Sequence, residues 1–148
     1  MPFTEACIYE ILRHASPTNL PSVTYGTVKD TTFKGYFIPE KTPVFVNYYS
    51  VTRDERYWEE PEKFNPYRFL DENGKLRKEL LEKFYPFGIG QSRCIGEKLA
   101  RLLNYLFFTN LMHKCEFQKV AGDKLSLEPE PGVFAGPKNY RVTVKSRF

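Results

Sequence analysis

A chain of 148 residues supplies enough surface to bury for one domain, or one piece of a larger one, and is too short for the multi-helix scaffolds of most redox enzymes. Its composition is 41% apolar and 27% charged, with Phe 13 and Tyr 10, which favours a packed chain over a disordered one. The net charge of +4 is modest, and acidic and basic residues alternate in DENGKLRKELLEK, residues 71–83, which describes a solvated face and implies no nucleic-acid partner.

The opening MPFTEACIYEILRHA places Ile8, Ile11 and Leu12 at helical spacing after Thr4, and SPTNLP stops the pattern. This predicts a helix over 4–15 with Thr4 near its cap. Residues 22–50 are rich in β-branched and aromatic side chains, cut by Gly26, Gly35, Pro39 and Pro43; short antiparallel strands joined by turns follow. Residues 51–76 carry Pro and charge and read as a meander, in which Asp54 is placed to cap a short helix and Trp58 and Phe64 are packing anchors. From about 95 to 113, Leu99, Leu102, Leu103, Leu106, Phe107 and Leu111 recur at i, i+3 and i+4, which predicts a helix with one buried core stripe. The tail returns to strand alternation in YRVTV, residues 140–144. No apolar run reaches the roughly 20 residues of a membrane span.

Cys7, Cys94 and Cys115 are widely separated and form no CxxC pair, so free thiols in a reducing compartment are expected. Cys94 stands at a corner, in PFGIGQSRCIG, residues 86–96, just before the last helix. The unsatisfied amides and the dipole of a helix N-terminus favour an anion there, so this thiol is expected to ionise. A thiolate so placed is a nucleophile, a redox centre or a metal ligand. His14 and His113 lie elsewhere and no second cysteine is close, which leaves ligation of a metal whose other ligands a cofactor supplies, as in heme. Gly88, Gly90 and Gly96 admit a flat macrocycle close to backbone, with Phe87 against the ring or sulfur. An inert buried cysteine with ordinary turn glycines explains the same residues equally well.

FGIGQSRCIG resembles the heme-binding signature of the cytochromes P-450, the heme-thiolate monooxygenases, through Phe87, Gly88, Gly90, Cys94 and Gly96. EILR, with Glu10 and Arg13, is similar to the family's Glu-x-x-Arg, and NPYRF, residues 65–69 with Arg68, to its later Pro-x-Arg-Phe element. Glu10 and Arg13 share a helix face, so one carboxylate can take two guanidinium groups, Arg13 and Arg68. In the family this knot is structural.

The resemblance implies a fold that is mainly α with small antiparallel β-sheets, residues 1–148 being the C-terminal third of one heme-binding domain, closest in wording to animal microsomal members. It implies heme b with an axial thiolate from Cys94, contacts from Phe87, Gly88, Gly90, Arg93 and Gly96, and an NADPH-dependent flavoprotein reductase and O2 as partners. The reaction implied is hydroxylation of an apolar steroid, polycyclic aromatic or xenobiotic. Leu20, Ser22, Val23, Val133 and Phe134 match positions lining the substrate pocket, with core or loop packing as the alternative. The longer parent is expected on the cytoplasmic face of the endoplasmic reticulum membrane; this chain carries no anchor and is expected to be a fragment, inactive alone. A non-catalytic heme-binding fragment and a small soluble domain with an inert cysteine are the rival expectations. Two positions depart from the family: Ser92 replaces a propionate-pairing Arg, with Arg93 adjacent, and Tyr25 replaces a propionate-contacting His. Arg93, Lys98 and Arg101 could face an acidic electron-transfer partner or simply solvent.

Overall fold

A computed structural model describes residues 1–16, 24–130 and 136–148. The first helix, α1, spans Pro2–Ala15. It begins before Thr4 because Pro2, at the first helical turn, gives up only an amide that would lack a partner anyway. It ends where Ser16 turns left-handed at φ 36 and its amide closes on the Leu12 carbonyl at 3.2 Å. Its inner face buries Ala6 and Ile8 together with the charged pair Glu10 and Arg13.

Four short strands follow: β1 (Thr24–Gly26), β2 (Thr31–Phe33), β3 (Tyr36–Ile38) and β4 (Pro43–Phe45). β1 pairs antiparallel with β4, Tyr25 opposite Val44, and β2 with β3. Lys34 and Gly35 both take positive φ between β2 and β3, the geometry of the two-residue hairpin turn whose twist matches the strands. Asn47 then caps α2 (Tyr48–Val51) by accepting the Ser50 amide at 3.1 Å.

The meander is turns rather than helix at Asp54: its carbonyl accepts the amides of Tyr57 and Trp58, and its carboxylate accepts from Arg56. The stretch reaches a 3-10 turn at Pro66–Phe69 and α3 at Lys78–Leu81. The core sits between this segment and α1. Trp58, Phe69 and Phe84 pack with ring centroids 5.8 Å apart, over Ala6. Phe64, expected to anchor as well, is 43% exposed and only edges onto His14, because the chain turns it to the outer flank of α1. Trp58→Phe removes the indole donor that reaches the Val51 carbonyl at 3.0 Å; a loss of about 1 to 2 kcal/mol is expected, read as a lower urea midpoint at unchanged slope.

The last helix, α4, spans Glu97–Lys114 and runs into β5 (Cys115–Lys119), which pairs antiparallel with β8 (Val142–Ser146), Phe117 opposite Val144. β6 (Pro129–Glu130) pairs with β7 (Gly136–Pro137). The expected core stripe of α4 is not buried. Leu99 is 61% and Phe107 65% exposed, and Leu102, Leu103, Leu106 and Leu111 are exposed as well. Periodicity marks which face of a helix is apolar, not what covers it, and α1 and β5, the elements that meet α4 most among the described residues, leave this face open.

Candidate functional site

The segment from Tyr85 to Gly96 folds as a loop bent by two glycines. Gly88 at φ 77 and Gly90 at φ 70 hold left-handed conformations that side-chain-bearing residues rarely adopt. The Gly88 amide closes a turn on the Tyr85 carbonyl at 3.1 Å, a 3-10 turn covers Gly90–Ser92, and the Cys94 amide returns to the Phe87 carbonyl at 2.9 Å. That last bond brings the two ends of the motif together and leaves the Cys94 side chain exposed beside a fully exposed Ile95. Among the described residues, the amides of Ile95 and Gly96 donate to no backbone carbonyl, so the start of α4 keeps free donors next to the sulfur.

Gly88 is also a point of close approach. A Cβ there would meet the Tyr25 hydroxyl at 3.2 Å and the Tyr48 hydroxyl at 3.7 Å. The two phenols lie 3.3 Å apart, and burial, then the Tyr25 hydroxyl, pushes Tyr48 up to about 12. Tyr48 is therefore a neutral donor throughout the physiological range. An apolar cleft of about 460 Å³ opens beside this pair, lined by Val44, Val46, Trp58, Phe84 and Ile89. Arg93 turns its Nε to Glu97, whose other carboxylate oxygen accepts from Arg101 Nε at 2.8 Å. The Arg93 guanidinium, then burial opposed by Arg101, leaves the Glu97 carboxyl below its ordinary range.

A charge knot with Glu10 and Arg13 fully buried ties α1 to the meander. Arg13 donates to both oxygens of Glu10, at 2.8 and 2.9 Å, and to the carbonyls of Thr52 and Pro61, each at 2.8 Å. Glu10 Oε1 also accepts from Arg68 Nε at 3.2 Å and from the Asn65 amide at 2.8 Å. Arg68 in turn reaches the Glu59 carbonyl at 2.7 Å. The carboxylate is thus saturated, which is the condition for keeping a charge away from water. The structure brings Glu10, Arg13 and Arg68 together, and Phe87, Gly88, Gly90, Arg93, Cys94 and Gly96 in one loop. Leu20, Ser22, Val23, Val133 and Phe134 lie outside the described residues.

The family model for Cytochrome P450 matches residues 1–144. The chain belongs to the cytochrome P450 family. It is 47% identical over its whole length to a polybrominated aromatic compounds synthase of Pseudoalteromonas luteoviolacea, and 42% identical over 99% of its length to cytochrome P450 1A1 of Limanda limanda. The solved structure of a zebra fish cytochrome P450 with abiraterone superposes on all of the chain with a TM-score of 0.85 at 31% identity. The fold is therefore the cytochrome P450 fold over this length. The chain spans 30% and 29% of the two relatives and 34% of the solved chain.

Cytochromes P450 hold a heme through one cysteine thiolate. The loop fits such a group: its thiol is exposed, free amides lie beside the sulfur, Gly90 has open space where a side chain would stand, and a side chain at Gly96 would come against the Cys94 sulfur. Among the described residues no three His, Cys, Asp or Glu side chains gather as a metal site, and no described helix is long and apolar enough to cross a membrane. Sequence reading missed Glu97 and Tyr48. Arg93, Glu97 and Arg101 stand at successive i, i+4 spacings, a signal that could have found the first; the meeting of Tyr25 with Tyr48 is long-range and had none.

Proposed function

We propose that this chain is the C-terminal part, residues 1–148, of a single heme-binding domain of a monooxygenase, with Cys94 as the axial thiolate of heme b. The observation that carries the reading is the exposed Cys94 on a loop closed by its own amide onto Phe87, in a chain of this family. The heme, when bound, supplies O2 activation and insertion of one oxygen atom into an apolar substrate, the other leaving as water. The chain's own part is to present and orient the thiolate. Gly90 and Gly96 keep its approach open, Gly88 makes room for the Tyr25 and Tyr48 hydroxyls, and Phe87 fixes the near end of the loop. Arg93 commits its Nε to Glu97, so its remaining nitrogens, and the one hydroxyl proton that the Tyr25–Tyr48 pair does not spend on itself, would serve heme carboxylates. The knot of Glu10, Arg13 and Arg68 fastens the meander to α1 and has a structural rather than a chemical part.

An aromatic substrate is the best supported of the apolar classes, because the relative at 47% identity is named for polybrominated aromatic compounds. Leu20, Ser22, Val23, Val133 and Phe134 are the substrate-lining residues of this reading. Electrons come from NADPH through a flavoprotein reductase, and the resemblance to microsomal members of the family is what suggests a longer parent on the cytoplasmic face of the endoplasmic reticulum membrane. Turnover needs more than these 148 residues, since the apolar face of α4 is open. Two preparations test this: the purified chain, and a hybrid in which it replaces the matching 30% of the Pseudoalteromonas enzyme. With reductase, NADPH and an aromatic substrate, the hybrid is expected to form oxidised product and the isolated chain none. Product from the isolated chain overturns the need for further chain, and a hybrid that binds heme without a thiolate spectrum overturns the assignment.

A further inference from the structure

We propose that Glu97 is a positioning residue for Cys94, its one buried carboxylate fastening both ends of the Cys94 loop. At the far end it takes Arg93, the residue immediately before Cys94, on Oε2. At the near end it takes Arg101 Nε on Oε1 at 2.8 Å, and the Arg101 guanidinium lies 5.2 Å from the Phe87 ring centroid. Phe87 is the residue whose carbonyl accepts the Cys94 amide. The chain of contacts runs from Glu97 through Arg101 to Phe87, and from Phe87 to the backbone of Cys94.

An exposed i, i+4 ladder on a helix is worth a few tenths of a kcal/mol and orders nothing beyond itself. This one differs in two ways. Glu97 is only 7% exposed, and a carboxylate at such a place holds its charge only while its partners stay. The Arg101 guanidinium also bridges two aromatic rings from separate segments, Phe87 and, at 5.1 Å, Tyr9, which is cation–π contact rather than solvation. Tyr9 sits on α1 next to Glu10, so Arg101 ties the loop to the helix that carries the buried knot. The loop needs such a fastening, because Gly88 and Gly90 leave it more conformations than an ordinary segment has.

The functional meaning of the clamp rests on Cys94 being the heme ligand; the clamp itself is measured without heme. Amide hydrogen exchange, followed by NMR on the 148-residue chain, reads it directly. Glu97→Gln is expected to speed exchange of the Cys94 amide about tenfold, leaving the amides of Arg13 and Phe117 unchanged. Arg101→Leu does the same, and Arg101→Lys, which keeps a cation near Glu97 and both rings, restores most of the protection. Equal acceleration at Cys94, Arg13 and Phe117 means a merely stabilising role and overturns the proposal, as does an unchanged Cys94 amide. Should Glu97→Gln unfold the chain, Arg93→Leu and Arg101→Leu read the two ends separately: release of the Cys94 amide by either supports the clamp, and protection in both refutes it. Loss of the heme assignment would leave this exchange pattern standing, and loss of the pattern would leave the heme assignment standing.

Discussion

Arg13→Ala lowers the unfolding free energy by about 3 to 5 kcal/mol, with the urea midpoint falling at little change in slope. The guanidinium is fully buried and each of its nitrogens is engaged: Nε and Nη2 on Glu10, Nη1 on the Thr52 carbonyl, and Nη2 also on the carbonyls of Pro61 and Lys63. Removing it leaves a buried carboxylate with only Arg68 and the Asn65 amide and the carbonyls of Thr52 and Pro61 short of a donor, each a desolvation cost no longer offset; the Lys63 carbonyl keeps Arg68. It also empties the space over Trp58, whose ring centroid is 5.4 Å from the guanidinium carbon. Arg13→Lys restores little, because a single ammonium cannot reproduce a planar fork serving five oxygens from three segments. A loss below about 1 kcal/mol would place the pair with exposed ion pairs and contradict the knot.

Much of this was legible in the sequence, for identifiable reasons. The spacing of Ile8, Ile11 and Leu12 locates α1, and the three-residue step from Glu10 to Arg13 puts both on one face. The density of β-branched and aromatic residues between Gly26 and Pro43 marks the small sheets. Cys94 stands out because glycines precede it and a helix follows. What stayed hidden depends on neighbours distant in sequence. The leucines of α4 read as core because periodicity reports a face, yet the described residues leave that face open. Phe64 is as apolar as Phe69, but Phe69 ends fully buried between Trp58 and Phe84 while Phe64 ends on the outer flank. Arg93 reads in the sequence as a heme contact and, with Arg101, as charge facing a redox partner or solvent; the burial of Glu97 and the ring contacts of Arg101 give both a structural task that spacing did not report. The phenol pair of Tyr25 and Tyr48 joins residues 23 apart, which no local pattern reports.

Cys94→Ser is expected to abolish substrate oxidation in the hybrid enzyme, because a neutral hydroxyl neither matches a thiolate as an iron ligand nor donates the electron density that favours O–O cleavage. The substitution removes little packing, since the side chain is exposed, so the fold is expected to persist with the core of Trp58, Phe69 and Phe84 intact. Cys7→Ser and Cys115→Ser serve as controls: burial pushes the Cys7 thiol up, and both residues lie outside the loop, so neither change is expected to alter heme ligation. The most direct measurement is the ferrous carbon monoxide difference spectrum of the hybrid and its Cys94→Ser variant. A thiolate-type Soret band in the first that vanishes in the second is the predicted result, and a thiolate-type band that survives the substitution would contradict ligation by Cys94.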